Sequence, residues 1–147
     1  MGGICLYDRE NDNFRTLSNG GKPIYVASYL LVEGGVLLSG SGAIYKYAYA
    51  TNKLEPLYYA QDPAYYTPFW QMIRFDDENI LLNSRWHGIY SFNMRTYELK
   101  KIESFTEKNY TCIYLDSYHR LWVSVYGSGL YCYQDDKQIK HFTASNS

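Results

Sequence analysis

The sequence has little of what marks metal-binding and nucleic-acid-binding proteins. Its three cysteines, Cys5, Cys112 and Cys132, form no CxxC pair and lie near no histidine cluster, so they predict no zinc site. Their wide spacing favours buried or half-buried free thiols over a disulfide. The formal net charge of −1 lacks the basic excess that nucleic acids or anionic membranes usually require of a partner. We therefore expect no metal, no cofactor, no nucleic acid partner and no direct contact with a membrane.

Long apolar segments and a recognisable leader are also missing. The composition predicts neither disorder nor a membrane span, and 147 residues suffice to bury the core of one ordinary soluble domain. The first residues do not include a basic segment followed by an apolar stretch, so the sequence predicts no signal peptide. Because a fragment of an exported protein would also lack one, this absence does not predict a cytoplasmic location.

Tyrosine is abundant, with 18 copies among the 147 residues. Aromatic residues favour β-strands and are over-represented where a protein contacts another molecule. No stretch of the sequence has helical periodicity.

A short motif occurs four times, roughly every 40 residues. Each copy begins with a small residue, continues with Ile or Leu, has an aromatic residue four places after the first, and runs into a polar turn. An apolar pair follows the turn. This pattern is typical of a β-hairpin, and its copies begin at Gly3, Ala43, Gly88 and Gly129.

A second hairpin pattern precedes three of these motifs. It has an apolar run, an acidic or glycine turn and a short apolar strand, at residues 29–39, 72–84 and 112–125. Four short strands in about 40 residues are typical of one blade of a β-propeller. We predict an all-β fold, a partial β-propeller over 1–147. It would have about three four-stranded blades and an N-terminal half-blade, namely 22–58, 69–105, 109–143 and 1–17.

The glycines of Gly127-Ser128-Gly129 raise the alternative of a phosphate-binding loop. Such a loop needs more glycines, a following lysine and a helix N-terminus, whereas a bulky aromatic strand follows here. The tripeptide also recurs at Gly40-Ser41-Gly42. We interpret these glycines, together with Gly88 and Gly3, as hinges between the second and third strands of a blade.

The last unit carries a family resemblance. The segment "IYLDSYHRLWVSVYGSGLYCYQDDKQIKHFTASNS" (113–147) resembles the two-component regulator propeller repeat. The pattern of that repeat runs through an acidic residue, a turn, Leu-Trp-Val, glycines, Gly-Leu-Tyr and an aromatic outer strand. These elements fall here at Asp116, Leu121-Trp122-Val123, Gly127, Gly129-Leu130-Tyr131 and Phe142.

The resemblance implies a setting and a role. Such repeats usually build seven-bladed propellers in the periplasmic sensor region of hybrid two-component histidine kinase/response regulator proteins, many of which recognise oligosaccharides. It implies a non-enzymatic sensor segment of a membrane-anchored parent, with any kinase activity outside this chain. Three and a half blades cannot close such a ring, so we expect packing against missing blades or self-association.

The ligand face follows from blade geometry. Loops between the second and third strands emerge on the same face as the connections from each blade to the next. The connection at 58–70 is aromatic and carries two prolines that stiffen it, and Arg85-Trp86-His87 faces it. Such rings with a few fixed donors suit a sugar or a peptide, although they could instead pack between blades. The candidate ligand-binding residues are Tyr65, Tyr66, Trp70, Arg85, Trp86, His87 and Tyr126.

No catalytic arrangement stands out. His119 and His141 are expected in a turn and an outer strand, away from His87, and the pairs Asp76-Asp77 and Asp135-Asp136 are expected to serve turn geometry. No Ser-His-Asp spacing is evident. A non-enzymatic sensor is the first hypothesis and a protein-interaction or dimerisation scaffold is the alternative. A propeller lyase or hydrolase is a weaker third, because propellers host all three functions.

Overall fold

The computed structural model describes residues 3–40, 42–60, 69–105 and 108–145, and every regular element in these ranges is a β-strand. Within them, no helix is long and apolar enough to cross a membrane. The chain divides into two compact units, Met1–Pro68 and Phe69–Ser147, which are described separately below.

The described part of the first unit forms two two-stranded sheets, β1-β2 and β3-β4, and one four-stranded sheet in the order β5-β6-β7-β8. All pairings are antiparallel. The strands are β1 (Cys5–Asp8), β2 (Asn13–Thr16), β3 (Ser18–Asn19), β4 (Lys22–Pro23), β5 (Ser28–Val32), β6 (Gly35–Gly40), β7 (Ala43–Ala48) and β8 (Lys53–Tyr59).

The described part of the second unit forms two four-stranded antiparallel sheets, each with its strands in chain order. The first sheet contains β9 (Phe69–Arg74), β10 (Asn79–Ser84), β11 (Gly88–Asn93) and β12 (Leu99–Lys101). The second sheet contains β13 (Tyr110–Leu115), β14 (Leu121–Val125), β15 (Gly129–Gln134) and β16 (Lys137–Phe142).

These sheets confirm the predicted fold class. In the described ranges the chain is an all-β, propeller-like fragment with three four-stranded sheets as its blades, and β1 and β2 form the predicted N-terminal half-blade. The β3-β4 hairpin is an addition to the prediction. Its strands have only two residues each, which is too short for a hydrophobic pattern to reveal them.

Each unit has its own buried core. In the first unit, the core contains residues from the half-blade region and from the four-stranded blade. Its members include Leu17, Ile24, Leu38 and Tyr45. In the second unit the core lies between the two blades, and it contains Leu81, Ile89, Phe105, Ile113, Val123 and Tyr131. Removing these apolar side chains from water is the main term that holds each pair of sheets together.

An aspartate holds the turn between the first two strands of each blade in the second unit. The Asp76 carboxylate accepts hydrogen bonds from the backbone N–H groups of Glu78 (2.8 Å) and Asn79 (2.7 Å). Asp116 accepts equivalent bonds in the next blade. Aspartate favours such turns because its side chain satisfies backbone donors nearby.

Gly88 and Gly129 are hinges, as predicted. Their φ angles are +103° and +100°, where L side chains are strained, and a Cβ atom would collide with the carbonyl oxygen of Phe105 or Phe142 respectively. The same prediction for Gly3 is wrong. Its backbone is not left-handed, and a Cβ there would make ordinary van der Waals contacts.

Two further expectations are corrected. All three cysteines are free thiols, yet only Cys132 is buried, whereas Cys5 and Cys112 are exposed. Burial raises the pKa of the Cys132 thiol. The aromatic connection is also shorter than predicted, because Tyr58 lies in β8 and Trp70 lies in β9.

Candidate functional site

Loops from the two blades of the second unit meet at one end of its sheets. The β10–β11 loop contains Arg85, Trp86 and His87, and the β14–β15 loop contains Tyr126. Asn109, the last residue before β13, lies between them. We call the end of the sheets formed by these residues and Trp70 the rim.

Asn109 links the two loops of the rim. Its side-chain oxygen accepts a hydrogen bond from Arg85 Nε at 3.2 Å, and its backbone carbonyl accepts one from the Tyr126 N–H at 2.9 Å. The Arg85 carbonyl in turn accepts a bond from the Tyr110 N–H at 2.9 Å. Backbone bonds therefore fix the positions from which Trp86 and Tyr126 project.

Two aromatic side chains of the rim are largely exposed. The exposed fractions are 56% for Trp86 and 75% for Tyr126. The Arg85 guanidinium carbon lies 5.4 Å from the centroid of the Trp86 ring, which is within cation–π range. Neither ring is buried between the two blades of the second unit.

Trp70 reaches the same end of the blade from the inner strand. The register of β9 against β10 shifts between the pairs Gln71–Asn83 and Phe69–Ser84, so Trp70 occupies a β-bulge. Its neighbour Phe69 is buried, whereas Trp70 is 49% exposed. The bulge thus turns an aromatic residue of a core strand outward.

The remaining predicted site residues are His87, Tyr65 and Tyr66. His87 is half-buried within the β10–β11 loop, where its N–H donates to the Ser84 carbonyl at 3.2 Å. Tyr65 and Tyr66 lie outside the described residues. The structure therefore brings together Arg85, Trp86 and Tyr126, with His87 in the same loop.

Polar side chains that the sequence did not predict as site residues lie below the rim. Asn83 is buried and donates to the Tyr110 carbonyl at 3.3 Å. Thr111 and Ser124 pair through their hydroxyls at 2.7 Å. The sequence does contain a pattern that could have predicted them. The second strand of each described blade has a polar residue immediately before its last residue, namely Ser39, Asn83 and Ser124.

His141 comes closer to the rim than its place in an outer strand suggested. Its Nε2 atom lies 2.7 Å from the carbonyl oxygen of Ser128 in the β14–β15 loop. The imidazole also stacks on Tyr131, with centroids 4.0 Å apart, and Lys108 lies over the same tyrosine ring. His119 lies in the β13–β14 turn, where it stacks on Phe75.

The acidic residues with perturbed pKa values have structural partners. Desolvation acts to raise the pKa of Asp116, but hydrogen bonds from Trp122, Arg120 and Tyr118 outweigh it and hold that pKa well below its ordinary value of 3.8. Its Oδ2 accepts from Trp122 Nε1 at 2.9 Å and from Arg120 Nε at 2.7 Å. In the described residues, no group of three or more His, Cys, Asp or Glu side chains could hold a metal ion.

The chain is similar in structure to several solved proteins. It superposes on an extracellular domain assigned to the hybrid two component system BT3049 from B. thetaiotaomicron, with a TM-score of 0.63 and 17% identity. That match covers 92% of this chain and 20% of the other. An extracellular domain assigned to the one component system BT4673 of the same organism gives a TM-score of 0.61 and 17% identity, over 82% of this chain and 18% of that one.

The computationally designed protein Ika4 has the same fold. The superposition has a TM-score of 0.62 at 10% identity, and it covers 87% of this chain and 78% of the Ika4 chain.

This chain spans about a fifth of the length of the two bacterial domains. No protein-family model matches the sequence, and no curated protein is significantly similar to it. At these identities the similarities establish the fold.

Proposed function

We propose that the chain is a non-enzymatic sensor segment of a periplasmic propeller in a membrane-anchored two-component signalling protein, and that its rim binds an oligosaccharide. The observation that carries the proposal is the pair of exposed rings, Trp86 and Tyr126, held next to Arg85 through Asn109. Two solved bacterial neighbours support the setting: one is an extracellular domain assigned to a hybrid two component system, and the other is an extracellular domain assigned to a one component system.

The rim has the chemistry that a sugar requires. The CH groups of a pyranose ring pack against flat aromatic faces, and its hydroxyls need a few fixed donors and acceptors. Trp86, Tyr126 and Trp70 supply exposed rings, and Arg85 supplies guanidinium donors. A net charge of −1 does not favour a polyanion such as nucleic acid as the ligand.

Calorimetry of the 147-residue chain against a panel of neutral oligosaccharides tests this proposal. We expect at least one oligosaccharide to bind, and both Trp70→Ala and Trp86→Ala to weaken it. Trp122→Phe is a control, since Trp122 lies in β14 and donates to Asp116 of the β13–β14 turn, away from the rim. Absence of binding to every oligosaccharide would overturn the carbohydrate assignment, and unchanged affinity in both variants would overturn the site.

A second candidate function is a self-association scaffold, favoured by one face of the last blade. In the preceding blade, Ile73 and Leu81 pair across β9 and β10 and pack against the next sheet. Tyr114 and Trp122 pair at the equivalent positions of β13 and β14, but Tyr114 is 61% exposed. Leu130 beside them is also exposed.

We propose a second copy of this chain as the partner of that face, because the equivalent surface of the preceding blade is covered by a blade. Light scattering over a range of concentrations should show self-association that Tyr114→Glu abolishes and Tyr118→Glu preserves. Tyr118 is a suitable control because it is even more exposed than Tyr114, at 74%, but lies in a turn. A monomer at every concentration would contradict the scaffold function and leave the rim proposal intact.

A further inference from the structure

A cavity of about 620 Å³ lies between the two blades of the second unit. It is lined by residues of the β9–β10, β13–β14 and β15–β16 turns, namely Phe75, His119, Asp135 and Asp136. The rim is formed by loops at the opposite ends of the same strands. The cavity is therefore separate from the proposed oligosaccharide site.

The interior of the cavity is apolar and aromatic. Leu81 and Phe105 line it and are almost fully buried, with exposed fractions of 3% and 2%. Phe105 and Tyr133 meet edge to face, with ring centroids 4.9 Å apart. Leu121 completes the same wall. Such a surface takes the hydrocarbon or ring portion of a small molecule.

The turn residues add flat rings and negative charge at its edge. Phe75 and His119 stack in parallel, with centroids 5.8 Å apart and an interplanar angle of 3°. Asp135 and Asp136 line the cavity from the turn between β15 and β16. Among the described residues that line it, none is Lys or Arg, so its two carboxylates have no fixed cation within the lining.

We propose that this cavity binds a small organic cation, with an apolar or aromatic body against Phe105, Leu81 and Tyr133 and an ammonium group against Asp135 and Asp136. The volume is in the range of pockets that hold drug-sized ligands. The carboxylates attract an ammonium group, and the faces of Phe75 and Tyr133 stabilise a cation by their quadrupoles. A carboxylate ligand of the same shape is repelled.

Phenethylamine is a suitable probe, with 3-phenylpropionate as its counterpart of opposite charge. Saturation-transfer NMR and titration calorimetry at neutral to slightly basic pH should show that the 147-residue chain binds the amine and not the carboxylate. Asp135→Asn/Asp136→Asn should weaken the amine by about tenfold or more. Asparagine tolerates the left-handed backbone of this turn, where the φ angles are 49° and 60°, so folding is preserved.

Two matched controls separate this proposal from the others. Glu33→Gln/Glu55→Gln removes the same two charges from exposed positions of the first unit and should leave amine binding unchanged. Trp86→Ala, which tests the rim, should also leave it unchanged. The proposal is overturned if phenethylamine fails to bind, if 3-phenylpropionate binds as well, or if the double asparagine variant retains full affinity.

Discussion

Gln71 and Ile113 join the inner strands of the two blades in the second unit through a reciprocal pair of hydrogen bonds. Gln71 Nε2 donates to the Ile113 carbonyl at 2.8 Å, and the Ile113 N–H donates to Gln71 Oε1 at 2.8 Å. A side-chain amide thus satisfies both backbone groups of a residue whose side chain is fully buried. The equivalent residue of the next blade is Cys112, which cannot make this pair of bonds.

We expect Gln71→Ala to destabilise the chain by about 1–3 kcal/mol, because it leaves the N–H and carbonyl of Ile113 without their partners at a packed interface. Urea unfolding measures this loss. Gln134→Ala, at an exposed position of β15, should change the free energy of unfolding by less than about 0.5 kcal/mol. Equal unfolding midpoints for the two variants would show that the amide does not hold the blades together.

Two neighbouring glycines should respond differently to alanine. At Gly127, φ is +72° and a Cβ would meet nothing within 4 Å, so Gly127→Ala costs only the backbone strain of about 1–2 kcal/mol. At Gly129, φ is +100° and the added Cβ would collide with the Phe142 carbonyl. We expect Gly129→Ala to cost at least about 2 kcal/mol more. Thermal unfolding of both variants checks the order, and a reversed order would refute the hinge assignment.

Asp116 should make the stability of the chain depend on pH in the acid range. Its pKa in the folded state lies below the ordinary value of 3.8, so the unfolded chain binds its proton first as the pH falls. The stabilisation is complete above that ordinary value and is lost as the pH falls toward the folded-state pKa. Asp116→Asn should therefore have a lower Tm at neutral pH, and its difference from the wild type should shrink in acid.

Circular dichroism melts over a pH series measure this difference. Asp77→Asn is the control, because the hydrogen bonds of the β9–β10 turn are accepted by Asp76. A Tm difference for Asp116→Asn that stayed constant down to strongly acid pH would mean that the charge of Asp116 is not what stabilises the turn.

The blades could be predicted because their pattern is local. Each hairpin is formed by consecutive residues, so its pattern is visible in the sequence. The hinges Gly88 and Gly129 recur at the blade period because the backbone at these positions leaves no room for a side chain. The positions of Trp86 and Tyr126 could be predicted from the same repeat, since each lies in the loop between the second and third strands of its blade.

The contacts between blades could not be predicted in this way. Asn109 ends a connection whose sequence has no repeated pattern, and its partners Arg85 and Tyr126 come from two different blades. The exposure of Trp70 depends on a bulge that the alternation of apolar residues does not reveal. The cavity beside Phe105 likewise exists only once two sheets are packed.

The most direct test of the oligosaccharide rim compares two tyrosines of nearly equal exposure at opposite ends of one blade. Tyr126 at the rim is 75% exposed, and Tyr118 in the β13–β14 turn is 74% exposed. Calorimetry with the oligosaccharide that binds the wild-type chain most tightly should show about tenfold or greater loss of affinity for Tyr126→Ala and none for Tyr118→Ala. Equal affinities for the two variants would contradict the assignment of the rim as the binding site.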